Sequence, residues 1–221
     1  MNPAKGLIAA LSLACAIAIG CAASTGAVSH DPMDGAACQL KQDMRKLWTD
    51  HTVWTRDYII AAVADAPDAQ AAATRLLKNQ EDIGAAVATY YGRPAGDQLT
   101  ALLKTHITTA VDVVKAAKAG DTAAFKTADD AWQQNAMQIA DFLSKANPNW
   151  PKSTLESMMK EHLSTTTTEV QARLDKNWDA DVRAWDAVYN HILKMSDALT
   201  DGIVKQFPDK FGSGVVSTTG R

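Results

Sequence analysis

Three histidines stand out because each closes the same short pattern. Leu47-Trp48-Thr49-Asp50-His51, Leu102-Leu103-Lys104-Thr105-His106 and Met158-Met159-Lys160-Glu161-His162 all read as two apolar residues, two polar residues and an imidazole. The copies recur at nearly equal intervals, each a quarter of the chain apart. Imidazole is the commonest protein metal ligand, and three of them brought together would suit Zn²⁺ or Cu²⁺. A second set of polar residues follows. Asn79, Asn135 and His191 trail their histidines by intervals that agree to within one position, each four before an apolar residue. Self-similarity at this period is the mark of repeated structural units.

The elements that must position these residues are helices. Alanine is abundant and apolar residues fall at helical spacing in most windows, while no stretch alternates with β-branched and aromatic residues. Breaks are expected at Ala66-Pro67-Asp68, at a loop over Gly92–Asp97, at Gly120-Asp121, at Asn147-Pro148-Asn149-Trp150-Pro151, and near Lys176-Asn177-Trp178-Asp179. Ser153-Thr154-Leu155-Glu156 fits a capping box. The spacing predicts an all-α fold of six helices, over 35–65, 68–91, 97–119, 122–146, 154–175 and 179–207, arranged as three tandem hairpins. In the middle hairpin the turn at Gly120 falls midway between His106 and Asn135. Equal helical rise then sets the two side chains at one height. The expected pairs are His51 with Asn79, His106 with Asn135, and His162 with His191. Packing about a pseudo-threefold axis would bring all six into one polar layer.

Two readings compete for such a layer. In one it is structural, with each imidazole hydrogen-bonded to its partner and the hairpin register fixed. In the other His51, His106 and His162 hold a metal, Zn or Cu, or a small ligand, with Asn79, Asn135 and His191 around it. Asp50 and Glu161 adjoin histidines in sequence, but adjacent helix positions do not share a face, so solvated roles are expected. No His-x3-His or Glu-x2-His spacing anchors a metal from one helix. Met158, Met159 and Met195 near the third pair leave room for soft Cu(I), although such methionines commonly fill core gaps.

Other residues point to packing. Trp150, held between Pro148 and Pro151, reads as a turn anchor, and the remaining tryptophans read as core or hairpin-packing residues. Arg56 has a surface or ion-pair role as its default, with a buried charge or an anion contact as the alternatives. The mid-helix run Thr165–Thr168 fits hydroxyls bonding back to the preceding turn near His162. Signatures of catalysis are missing: there is no glycine-rich nucleotide fingerprint, phosphate loop, nucleophile elbow or His-Glu-x-x-His. Asp179-Ala180-Asp181 has the form of a metal-nucleotide motif, but acids opening a helix already have a dipole explanation. No catalytic residue is assigned.

Residues 1–20 read as a signal peptide, with Lys5 as the basic start and Leu7–Gly20 as its apolar stretch. That stretch is too short to span a bilayer. Ala18-Ile19-Gly20-Cys21 resembles a lipoprotein box, which would tether the protein by lipid at Cys21; small residues around Thr25-Gly26-Ala27 offer an ordinary cleavage site instead. Either way an exported protein is expected, periplasmic or held in the cell envelope. A flexible linker over 21–34, one domain over 35–208 and a flexible tail over 209–221 follow. Loss of Lys5 takes the formal charge from −3 to −4, spread along the chain, with no basic stripe for nucleic acid or anionic lipid. Cys38, the single cysteine beyond Cys21, reads as a small packed hydrophobe.

The block Leu47-Trp48-Thr49-Asp50-His51-Thr52-Val53-Trp54-Thr55-Arg56 resembles the opening of a family of small, mostly secreted bacterial helical proteins without an assigned function. The likeness runs on through Tyr90-Tyr91-Gly92, Ala117–Asp121, Ala146-Asn147-Pro148-Asn149-Trp150 and Asp201–Phe207, covering about 40–208. His51, His106, His162, Asn79 and Asn135 match the family pattern, whereas a histidine at 191 is not typical of it. The resemblance implies a three-histidine layer and leaves the activity open. The expected role is non-catalytic binding in the envelope, with a scaffold protein carrying a structural histidine layer as the alternative, and a metal-dependent enzyme behind both.

Overall fold

The computed structural model describes residues 32–212. The leader, the lipoprotein box at Cys21 and most of the proposed linker and tail lie outside them. Six α-helices follow one another: α1 (Pro32–Val63), α2 (Ala69–Tyr91), α3 (Arg93–Ala119), α4 (Thr122–Ala146), α5 (Lys152–Leu174) and α6 (Trp178–Gln206). A 3-10 turn, Pro208–Phe211, closes the described chain. Each helix packs on its chain neighbour and α6 returns to α1, which closes a ring; α1, α3 and α5 also touch one another across the middle. The three hairpins are thus α1–α2, α3–α4 and α5–α6. None of the described helices is long and apolar enough to cross a membrane.

Local chemistry explains most of the turns. Gly120 ends α3 in the left-handed region at φ 66°, and Asp121 caps α4 by accepting from the N–H groups of Ala123 and Ala124. Asn177 caps α6 by accepting from Ala180 N–H. The expected loop at 92–97 is not one. Gly92 alone, at φ 83°, makes the break, and α3 starts at Arg93. Pro94 fits the first turn because its missing N–H would have no helical partner there. Gly96 lies inside the helix because the α2 and α3 backbones meet at it: a Cβ there would run into the Gly84 carbonyl and Ala88. The capping box expected at Ser153 is also absent, since α5 starts at Lys152 after Pro151 and no side chain caps it.

The domain edges also move. α1 begins at Pro32, inside the expected linker, and Phe211 is buried beyond the expected end at 208, stacked on Tyr90 with ring centroids 5.9 Å apart. Cys38 is exposed rather than packed, because it lies on the outer side of the first turns of α1. Trp178, expected as a core or hairpin-packing residue, is 53% exposed and lies beneath Arg173 at the α5–α6 turn. Trp150 does anchor its turn: it is buried against Gly202, and its indole N–H donates to the Ala198 carbonyl at 3.3 Å.

Candidate functional site

The three repeated histidines come from α1, α3 and α5, the helices that meet in the middle of the ring. His51, His106 and His162 are each at least nine-tenths buried, as are Asn79, Asn135 and His191. His162 is the centre of the group. Its ring centroid lies 5.7 Å from His51, 5.9 Å from His106 and 6.4 Å from His191. A layer therefore forms, organised about one histidine.

The hairpins build the layer with one rule and three chemistries. In every hairpin the polar residue of the second helix donates to the main-chain carbonyl one helical turn before the histidine. Asn79 Nδ2 reaches the Leu47 carbonyl at 3.0 Å, Asn135 Nδ2 the Leu102 carbonyl at 3.1 Å, and His191 Nε2 the Met158 carbonyl at 2.9 Å. What changes is how the imidazole itself is met. Asn135 Oδ1 lies 3.0 Å from His106 Nδ1. Because the Asn135 amide nitrogen already serves Leu102, that contact is Nδ1–H donating to Oδ1. His106 Nε2 is then the acceptor, and the Trp132 indole N–H supplies it at 3.2 Å. Both ring nitrogens of His106 are occupied, and its tautomer is set.

The first and third hairpins depart from the expected pairs. His51 meets Gln80, not Asn79, with Gln80 Nε2 3.4 Å from Nδ1. That contact is the weakest of three on one amide nitrogen, which also faces the Leu76 carbonyl at 2.8 Å and Asn79 Oδ1 at 3.1 Å. Two hydrogens serve three acceptors, and the imidazole comes last. His162 and His191 do not hydrogen-bond; they stack at 13°. His191 Nδ1 instead lies 3.3 Å from Glu161 Oε1, on a side chain 60% exposed. His162 Nδ1 is buried with no hydrogen-bond partner among the described residues, and so is Trp48 Nε1.

Electrostatics keeps the three repeated histidines neutral. Burial pushes the His51 imidazole down to about 3, with His106 adding to the shift and the Gln80 contact opposing it. Burial pushes His106 down to about 4 against the Asn135 hydrogen bond. His162 falls well below the usual range through burial and then through the three neighbouring imidazoles. The physical cause is shared: a cation in an apolar interior loses its hydration and gains no counter-charge.

Two cavities of about 30 Å³ each flank the layer, both walled by His51, His106 and His162. The upper one is otherwise lined by Thr55, Tyr58, Trp132, Thr166 and aliphatic residues, the lower by Trp48, three methionines and aliphatic residues. The threonine run bonds back as expected, with Thr166 Oγ1 donating to the His162 carbonyl at 2.8 Å. Among the described residues no group of three His, Cys, Asp or Glu side chains is arranged to hold a metal ion. No family model, curated protein or solved structure matches this chain. The likeness drawn over about 40–208, from Leu47–Arg56 onward, therefore stands on the sequence pattern alone.

Sequence reasoning missed Gln80 and Trp132. The signal for Gln80 was present, because it follows His51 at the same interval at which Asn135 follows His106. Trp132 carried none, since its contact spans two helices at a spacing that no other hairpin repeats. A second buried polar cluster lies nearer the end of the bundle where α5 turns into α6. Arg56 Nη1 donates to Glu169 Oε1 at 2.6 Å and Nη2 to Asp181 Oδ2 at 2.9 Å, while Arg173 Nη1 reaches Asp181 at 3.2 Å. Glu169 and Asp181 are almost fully buried, and the Arg56 guanidinium lies over Trp185.

Proposed function

We propose that this protein is a non-catalytic, exported interaction protein of the cell envelope, and that its histidine layer locks the register of three hairpins. The observation that carries this reading is His106. An imidazole whose Nδ1–H is held by Asn135 and whose Nε2 accepts from Trp132 has no lone pair left for a ligand. A zinc ion bound by three imidazoles would have to break the buried indole bond and then share its charge with no carboxylate. The common rule of second-helix donor to first-helix carbonyl supports register as the task, since a slip of one residue would strand a donor in the core. Export rests on Lys5, the apolar stretch Leu7–Gly20 and the Gly20-Cys21 pair, which also supports a lipid tether.

The test is the metal content of the purified protein by plasma mass spectrometry, with denaturation in the presence and absence of Zn²⁺. The expected outcome is no stoichiometric zinc, no stabilisation by Zn²⁺, and a loss of stability in His106→Gln that Zn²⁺ does not alter. Near-stoichiometric zinc that disappears in His106→Gln would overturn the register reading and restore a metal site made by His51, His106 and His162.

A further inference from the structure

The lower cavity has a composition that register alone does not explain. Its walls include His162, Met158, Met159 and Met195, with His51, His106 and Trp48 beside them and otherwise leucine and isoleucine. Three of the seven methionines of the chain converge there, from α5 and α6. Met158 and Met159 lie one helical turn before His162, at positions that share its helix face. Met195 lies one turn after His191 and is buried. We propose that this cavity is a soft-metal site in which His162, Met159 and Met195, with Met158 beside them, hold a single Cu(I) ion.

Size comes first. A cavity of about 30 Å³ accepts something no larger than a water or two, or one ion, and excludes organic ligands. Donor chemistry comes second. Neutral thioethers are soft ligands that suit Cu(I), whereas Mg²⁺ and Ca²⁺ take oxygen donors and Zn²⁺ sites are built from thiolate, imidazole and carboxylate. No carboxylate lines the cavity, so a divalent ion would bring two uncompensated charges into an apolar site, and a monovalent ion brings one. The third point is His162. Its Nδ1 is buried and unpaired, while every imidazole around it is met by a protein group. Gap-filling explains methionine sulfurs in a core. It does not explain a buried imidazole nitrogen without a partner on His162, which shares the cavity wall with these methionines.

His106 lines the cavity but is not among the proposed ligands, because Asn135 and Trp132 occupy both its ring nitrogens, so this inference goes beyond the register reading without resting on it. The Zn²⁺ experiment tests the register, and a Cu(I) experiment tests this site. Cu(I) is titrated anaerobically with ascorbate into the full chain, in competition with bicinchoninate, whose Cu(I) complex is coloured. The chain carries Cys15→Ser, Cys21→Ser and Cys38→Ser, because a thiol such as the exposed Cys38 would bind Cu(I) on its own. One Cu(I) per chain is expected. The pair Met159→Leu and Met195→Leu conserves volume and so preserves folding. It is expected to lose at least about tenfold in Cu(I) affinity, the scale on which even outer partners of a metal matter. Failure to compete with bicinchoninate, or an unchanged affinity in the doubly substituted protein, overturns the proposal.

Discussion

The histidine layer and the Arg56 cluster draw on the same hairpins yet handle buried polarity in opposite ways. Less than two helical turns along α1 separate His51 from Arg56, and about two turns along α5 separate His162 from Glu169. In the layer, groups that can lose charge do so: burial holds His51, His106 and His162 in the neutral form, and the layer relies on amides, an indole and main-chain carbonyls. In the cluster, guanidinium groups cannot deprotonate, so carboxylates must accompany them into the interior. Arg56 brings Glu169 and Asp181 with it and joins α1 to α5 and α6. The first arrangement aligns three hairpins with one geometry. The second ties one corner of the ring with charge. A neutral layer is sensitive to protons from outside, whereas an ion cluster is sensitive to loss of a member.

Acid gives the largest separation between the two. The folded histidines titrate at about 3 and about 4, with His162 also far below 6.5, so the unfolded chain takes up protons first. Their contribution is then complete above about pH 6.5 and falls as the pH drops toward the folded values. Three histidines contribute a slope of roughly 4 kcal/mol per pH unit, comparable with a whole domain's stability within two units. Glu169 acts in the other direction. Burial pushes it up to about 7 despite Arg56, so its contribution is present below its unfolded value near 4.5 and is lost as the pH rises through about 7. Urea denaturation between pH 8 and pH 4.5 should therefore show steep acid destabilisation. Glu169→Gln should steepen it further, because the opposing contribution between about pH 4.5 and about pH 7 is gone. A flat profile below pH 6.5 would mean that the imidazoles are solvated.

Breaking the charged cluster is next in size. Arg56→Met leaves Glu169 and Asp181 buried without their shared partner, and Arg173 reaches only Asp181. A loss of about 3–5 kcal/mol at pH 7 is expected, shrinking on acidification as Glu169 takes up its proton. A loss that is independent of pH would point to packing against Trp185 instead. Sharpening the layer has the smallest effect. Trp132→Phe removes the donor to His106 Nε2 while keeping an aromatic ring, at a cost of about 1–3 kcal/mol. Nitrogen-15 chemical shifts should then show His106 still protonated at Nδ1, because Asn135 remains. A switch of tautomer would show that Trp132, and not Asn135, sets the ring.

Much of this architecture was legible beforehand because it depends on period. The histidine interval and the breaks at Gly120-Asp121 and Asn147–Pro151 led to three hairpins, and equal rise on both sides of Gly120 placed Asn135 opposite His106. The same arithmetic failed by one residue in the first hairpin. Asn79 and Gln80 both point inward there, and they divide between them the carbonyl and the imidazole that Asn135 serves alone. The third pair failed for a chemical reason: His191 gives its Nε2–H to Met158, so the ring can only stack on His162. The early start of α3 escaped notice because Pro94 and Gly96 look like loop residues until α2 is set against them.

Sequence by itself determined the helices, the hairpin pairing and the presence of a polar layer, because these follow from local propensity, turn chemistry and a repeat that each hairpin obeys separately. Tertiary structure decided what the layer is. Which groups meet the two nitrogens of His106, whether His162 Nδ1 has a partner, and which methionines share its cavity depend on distances between helices that are far apart in the chain. Those distances are set by packing of the whole ring, and no interval within one hairpin encodes them.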